Sequence, residues 1–162
     1  MEFVRLTEVP LAEVVALLNN RRTHRHLPLA GEFSEQASAD WVRDKDAQWE
    51  VHGYGAWAIM VDGRFAGWGG FQHEDLGADL ALVLDPEYWG LGARITQEFL
   101  QRGFSELGID EVTIALPYTR NPEAVLARWG FVPDGEVRHS SISFQLYRPT
   151  HDAWVRRRGS SR

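Results

Sequence analysis

From Asp79 to Arg94 the chain reads DLALVLDPEYWGLGAR. An apolar run stops at Asp85-Pro86, glycines follow at positions 90 and 92, and a helical pattern opens behind them. A helix start leaves backbone N–H groups unpaired and carries a partial positive charge. Glycines there let a phosphate come close to those amides. The segment is thus a phosphate cradle in outline, although Gly-x-Gly also suits a plain turn ahead of a helix. It is not a P-loop, because no Gly-Lys-Ser/Thr follows. Nor is it the dinucleotide fingerprint, since Ile95 stands where the third small residue belongs.

Other polar groups carry less by themselves. His24 and His26 straddle Arg25 ahead of Pro28, and no third ligand accompanies them, so no metal site is expected. His73-Glu74-Asp75 reads equally as a solvated turn. Trp41, Trp49, Trp57 and Trp68 are expected mostly in the core or along a groove wall. Arg156-Arg157-Arg158 reads as a solvated end.

These residues need elements to hold them. Glu2–Leu6 alternates as a short strand, and Pro10–Asn20 carries Val14, Val15, Leu17 and Leu18 on one helical face. Arg21–Leu29 is a short helix or loop. Ser34–Trp49 is a second long helix with Ser34 able to cap it. The period then changes. Ala56–Val61 and Arg64–Gln72 form a hairpin about Asp62-Gly63, with glycines at 67, 69 and 70 marking a bulge or a close backbone approach. Ala78–Leu84 is the next strand, and a helix from the Gly-x-Gly segment to about Leu107 presents Ile95, Phe99, Leu100 and Phe104 on one face. Glu111–Leu116 is a strand, and Asn121-Pro122-Glu123 opens a short helix closed by Gly130-Phe131. Phe131–Arg138 and Ser141–Arg148 form a final hairpin. The order predicts an α+β layered domain around one sheet, residues 1–162 forming a single unit.

Composition narrows the function. The chain has 162 residues, 44% hydrophobic and 12% aromatic, enough for a sizeable core. It has no cysteine, which excludes disulfides, thiolate nucleophiles and Cys-ligated zinc and fits a cytoplasmic location. Seventeen basic against 23 acidic residues give −6, which argues against nucleic acid as the main partner. No apolar run approaches the ~20 residues of a membrane span, and the N-terminus MEFVRLTEVP is not expected to be a signal peptide.

The strand Asp79–Leu84 followed by Pro86-Glu87-Tyr88-Trp89-Gly90-Leu91-Gly92 resembles the acetyl-CoA pyrophosphate loop of the GNAT superfamily of N-acetyltransferases. The wording is nearest the ribosomal-protein alanine acetyltransferase branch. Asn121-Pro122-Glu123-Ala124 and Trp129-Gly130-Phe131 match a second stretch, and the element order agrees from Phe3 to Tyr147. The resemblance implies a three-layer αβα fold with a mixed, mostly antiparallel central sheet. It implies acetyl-CoA as cosubstrate and no metal, with a small-molecule or peptide amine as acceptor, no membrane, and a monomer or homodimer. In the family pattern Gln/Arg-x-x-Gly-x-Gly/Ala, Trp89 and Arg94 occupy the first and last places. The last helix is two residues short, so Asn121 or Thr119 is the matching position. Where many relatives carry a tyrosine in that helix, Leu126 or Arg128 stands here.

For the site, the resemblance implies CoA contacts from Trp89, Gly90, Leu91, Gly92, Ala93, Arg94 and Asn121. It also implies an oxyanion-binding backbone N–H among Leu82, Val83 and Leu84. The thioester arm is expected in a gap between the Asp79 strand and Glu111–Leu116. Asp79 or Glu74 is the candidate base, with His73 behind them, and Tyr118 is the candidate acid for the leaving thiolate. His24, His26, Trp57 and Trp68 are expected to face the acceptor. Two rivals remain at this point. One is a GNAT-like module that binds acyl-CoA without turnover, and the other is an unrelated α+β ligand-binding domain.

Overall fold

The computed structural model describes residues 1–24, 32–118, 120, 122–149 and 151–159. The strands are β1 (Glu2–Arg5), β2 (Ala56–Val61), β3 (Arg64–Glu74), β4 (Gly77–Leu84), β5 (Val112–Pro117), β6 (Val132–His139) and β7 (Ile142–Arg148). They build one sheet in the order β1-β2-β3-β4-β5-β7-β6, antiparallel at every junction except β4–β5. The helices are α1 (Leu11–Leu18), α2 (Arg21–His24), α3 (Glu35–His52), α4 (Gly92–Ser105), α5 (Glu123–Arg128) and α6 (His151–Gly159). No described helix is long and apolar enough to cross a membrane.

Alternation along β4 separates two cores. Ala78, Leu80 and Leu84 pack with Ile95, Phe99 and Leu100 of α4, in a cluster that also takes Leu126 of α5 and Trp154 of α6. Ala81 and Val83 face the opposite way and pack with Leu6, Val14, Leu17 and Trp68, against which Trp41 and Val42 of α3 lean. Helices thus cover both faces, giving the expected αβα layering.

Local chemistry explains the boundaries. Ser34 Oγ accepts the Ala37 N–H at 3.0 Å, which caps α3. Gly53 ends it at φ +73, one turn beyond the expected Trp49. Ala66 is the extra residue where the β2–β3 register shifts between Ile59 and Met60, so the glycine-rich strand does bulge. Gly69 also marks a close approach, since a Cβ there would lie 2.7 Å from the Ala81 carbonyl oxygen and from the Phe99 ring.

One expectation is corrected and one helix is added. The segment after Asp85 is not an open turn but a 3-10 helix, Pro86–Leu91, with Asp85 Oδ1 accepting the Glu87 N–H at 3.0 Å. The C-terminal segment is helical, and Arg156 on it is exposed as expected. It forms α6, whose Trp154 is 4% exposed and meets Phe104 with ring centroids 5.8 Å apart. Ala153, Trp154 and Val155 are consecutive and leave no apolar period to read, and only Phe104 and its neighbours show what Trp154 covers.

Candidate active site

The parallel ladder between β4 and β5 has two rungs, Ala78↔Val112 and Asp79↔Thr113. From Ile114 to Pro117, β5 pairs with β7 on its far side, while β4 continues to Leu84 against β3. The two strands therefore part just beyond Asp79. The Asp85 N–H donates to the Ala66 carbonyl of β3 at 2.8 Å. By alternation the main-chain groups of Val83 and Ala81 also turn to β3, and those of Leu80, Leu82 and Leu84 turn toward β5 and the gap. This corrects the expectation for Val83, whose N–H is turned to β3. Leu82 presents its N–H and C=O where β5 has left. The Leu84 carbonyl on that side accepts the Trp89 indole N–H at 3.0 Å.

At the wide end of the gap lies the start of α4. Gly92 is its first residue, at φ −54, and its N–H donates to the Trp89 carbonyl. Neither Gly90 nor Gly92 has the positive φ that demands glycine. A Cβ would meet nothing within 4 Å at Gly90, and at Gly92 only two leucine methyls at 4.0 Å. The backbone does not need these glycines, so what their absent side chains leave is open space over a helix start. Ala93 and Arg94 are exposed beside it, and such a surface fits a phosphate. Two further contacts tie the loop to the α1–α2 junction. Arg22 lies 5.3 Å from the Trp89 ring centroid, and Asn20 Nδ2 donates to Asp85 Oδ2 at 3.4 Å.

At the narrow end, Asp79 Oδ1 accepts the Thr113 hydroxyl at 2.8 Å. Burial pushes the Asp79 carboxyl up to about 7. Thr113, Lys45 and the Ala115 backbone work against that shift, and nearby Glu74 adds to it. A carboxyl poised near neutrality can take a proton from an ammonium and pass it on. Glu74 is exposed at the end of β3, opposite Gly77 across the hairpin, and is close enough to act on Asp79 only through its charge.

Other expected residues are not brought to this point. Tyr118 follows β5 at its far end, roughly 16 Å from Thr113 at about 3.3 Å per residue. It is 59% exposed, and its hydroxyl donates to Glu136 Oε2 at 2.9 Å. That hydrogen bond raises the phenol pKa. His73 stacks on His52, centroids 3.9 Å apart, and bonds Tyr54 Oη at 3.0 Å. Trp57 and Trp68 do not share a wall. Trp57 stacks on Phe99 at 5.2 Å in the α4-side core, and Trp68 lies in the core on the other face. The one-residue offset of their register, Trp57↔Gly69 and Ala58↔Trp68, sends them to opposite faces. His24 ends α2, but its side chain lies outside the described residues, as do His26, Thr119 and Asn121. Sequence reasoning missed Thr113, Arg22 and Lys45. For Lys45 the available signal was its place one turn after Trp41 on the same helix.

The architecture coincides with that of known proteins. Residues 1–132 match the family model described as acetyltransferase (GNAT) domain. The chain belongs to the GNAT acetyltransferase family. A GnaT-family acetyltransferase from Bordetella pertussis superposes with a TM-score of 0.73 at 17% identity, covering 91% of this chain and 94% of that one. An acetyltransferase from Agrobacterium tumefaciens gives 0.73 at 19% identity over 91% and 88%. The spermidine N-acetyltransferase of Vibrio cholerae, solved with CoA and spermine, gives 0.69 at 14% identity over 90% and 92%. At these identities the superpositions establish the fold.

Proposed function

We propose that this chain moves an acetyl group from acetyl-CoA to a primary amine by direct attack on the thioester. The observation that carries the reading is the parting of β4 and β5 at Asp79–Thr113. It leaves the Leu82 main chain facing a gap that runs from a near-neutral carboxyl to an open helix start. In this reading the amides at the start of α4, from Ala93 on, hold the pyrophosphate below Gly90 and Gly92, and Arg94 adds a cation. The Leu82 amide pairs with the extended arm or steadies the developing oxyanion. Acetyl-CoA supplies an acyl carbon activated by its bond to sulfur. Asp79 takes the proton that the attacking nitrogen must lose, directly or through a water. The branch resemblance in Pro86–Gly92 favours an α-amino group as acceptor.

The test is release of free CoA thiol from acetyl-CoA over a panel of α-amino acids, peptides and polyamines, beside calorimetric titration with CoA. CoA binding with amine-dependent thiol release is the expected result. A second reading, a CoA-binding module without turnover, is favoured by the residues at the family's tyrosine. Leu126 is 4% exposed and Arg128 points to solvent, and neither can protonate a thiolate. Binding without thiol release would select it, and absence of CoA binding would overturn both.

A further inference from the structure

Lys45 is the only lysine of the chain. Its ammonium lies 5.3 Å from the Trp68 ring centroid and 5.9 Å from that of Trp41. The two indoles meet edge-on, centroids 5.0 Å apart. Cation–π contact balances part of the cost of burying the charge, and burial still pushes the Lys45 pKa down. Among the described residues its ammonium makes no hydrogen bond or ion pair. Asp79 and Glu74 act on it only at longer range. Trp68 beside it is 7% exposed, and among the described residues its indole N–H is buried without an acceptor. A buried donor left unpaired keeps the full cost of its lost water. One stack thus holds a half-buried cation beside a buried donor in want of an acceptor.

The placement says what would satisfy them. Trp68 pairs with Val83, and Asp79 lies on the same face of β4 as Val83. The opposite face is filled by Leu80, Leu84 and the α4 core. An amine that uses Asp79 therefore arrives on the face where Lys45 and Trp68 stand. Along that face a carboxylate and an ammonium are presented together, the charge complement of a molecule carrying both an amine and a carboxylate.

We propose that Lys45 and the Trp68 indole N–H hold the carboxylate of the acceptor, so that the acceptor is a free amino carboxylate rather than a polyamine. The proposal rests on the acetyltransferase reading above.

Two measurements test it. With lysine labelled at Cε, the single lysine gives one NMR resonance whose pH titration can be followed with CoA present. The probes are the common α-amino acids, 4-aminobutanoate and 6-aminohexanoate, against their carboxamides. At least one carboxylate should raise the Lys45 midpoint by about one unit or more, as a bound anion favours the charged form, and its amide should not. An unmoved midpoint with every carboxylate would overturn the proposal. In turnover, kcat/KM for the best carboxylate should exceed that for its amide and for spermidine by about tenfold or more. Lys45→Met should erase that preference through KM with CoA affinity unchanged, and Lys45→Arg should retain part of it. Equal loss on all acceptors in a folded Lys45→Met protein would overturn it. Thiol release with amides or spermidine but with no carboxylate would overturn this proposal alone. Release with no amine of any class would overturn the acetyltransferase reading and this proposal with it.

Discussion

Thr113 Oγ1 donates to Asp79 Oδ1 across 2.8 Å at the last rung that β4 and β5 share. The bond stabilises the ionised carboxylate at the position where burial opposes ionisation. The proton-accepting group and the parting of the strands therefore lie at one place. Asp79→Asn keeps the acceptor for Thr113 but cannot take a proton. Turnover should fall by about 10²-fold or more, with CoA affinity unchanged by titration. The rise in wild-type rate through about pH 7 should vanish with it. Thr113→Val removes a bond that favours the charged form, so the midpoint of the rate profile should move to higher pH. An unchanged profile in both variants would place the base elsewhere.

The same carboxyl bears on stability. Its folded pKa, about 7, lies above the ordinary aspartate value of 3.8. The folded state therefore binds more protons than the unfolded state between these values, and stability falls as pH rises through that window. Asp79→Asn should flatten that fall and raise stability above pH 7, by at most about 4 kcal/mol. Urea unfolding at pH 5 and pH 8 reads both the slope and its loss.

Gly92→Asp sets a carboxylate on the first residue of α4, where a Cβ meets only methyls at 4.0 Å. The fold should survive, as an acidic residue suits a helix start. CoA binding should weaken by about 1 kcal/mol or more, because the added charge opposes the pyrophosphate. Calorimetric affinity alongside an unchanged Tm is the expected pair of results.

Tyr118→Phe removes the hydroxyl that Glu136 accepts at an exposed rim. Its effect on kcat should stay within about threefold, less than half a decade of rate. A larger loss would place the phenol on the proton path.

Trp154→Ala empties the place where α6 meets Phe104. Truncating a buried tryptophan costs about 3–5 kcal/mol, so denaturant unfolding should report a large loss. A loss under about 1 kcal/mol would mean that the C-terminal helix is peripheral to the core.

Much of the scaffold was legible because its signals are local. Asp62-Gly63 turns one hairpin, Asp85-Pro86 stops β4, Ser34 caps α3, and the apolar stripe of Ile95, Phe99 and Phe104 announces α4. The tail helix was illegible because its apolar residues, Ala153, Trp154 and Val155, are consecutive and form no helical stripe. Neighbouring strands suggest a shared wall for Trp57 and Trp68, yet register rather than strand identity decides which face each indole takes.

For the site, the order of residues by itself determined the strand, the helix start and the two glycines between them, since propensity, capping and turn chemistry act over a few neighbours. Tertiary structure alone decided what those parts do. Asp79 and Thr113 are 34 residues apart, and their meeting depends on how α4 returns the chain to the sheet. Which β4 carbonyls and amides lose their partners follows from β5 turning to β7. Lys45 reaches Trp68 only because α3 lies on the face of β3 that carries it. Burial and long-range charge set the Asp79 carboxyl near neutrality, and both are properties of the packed molecule that no window of the sequence contains.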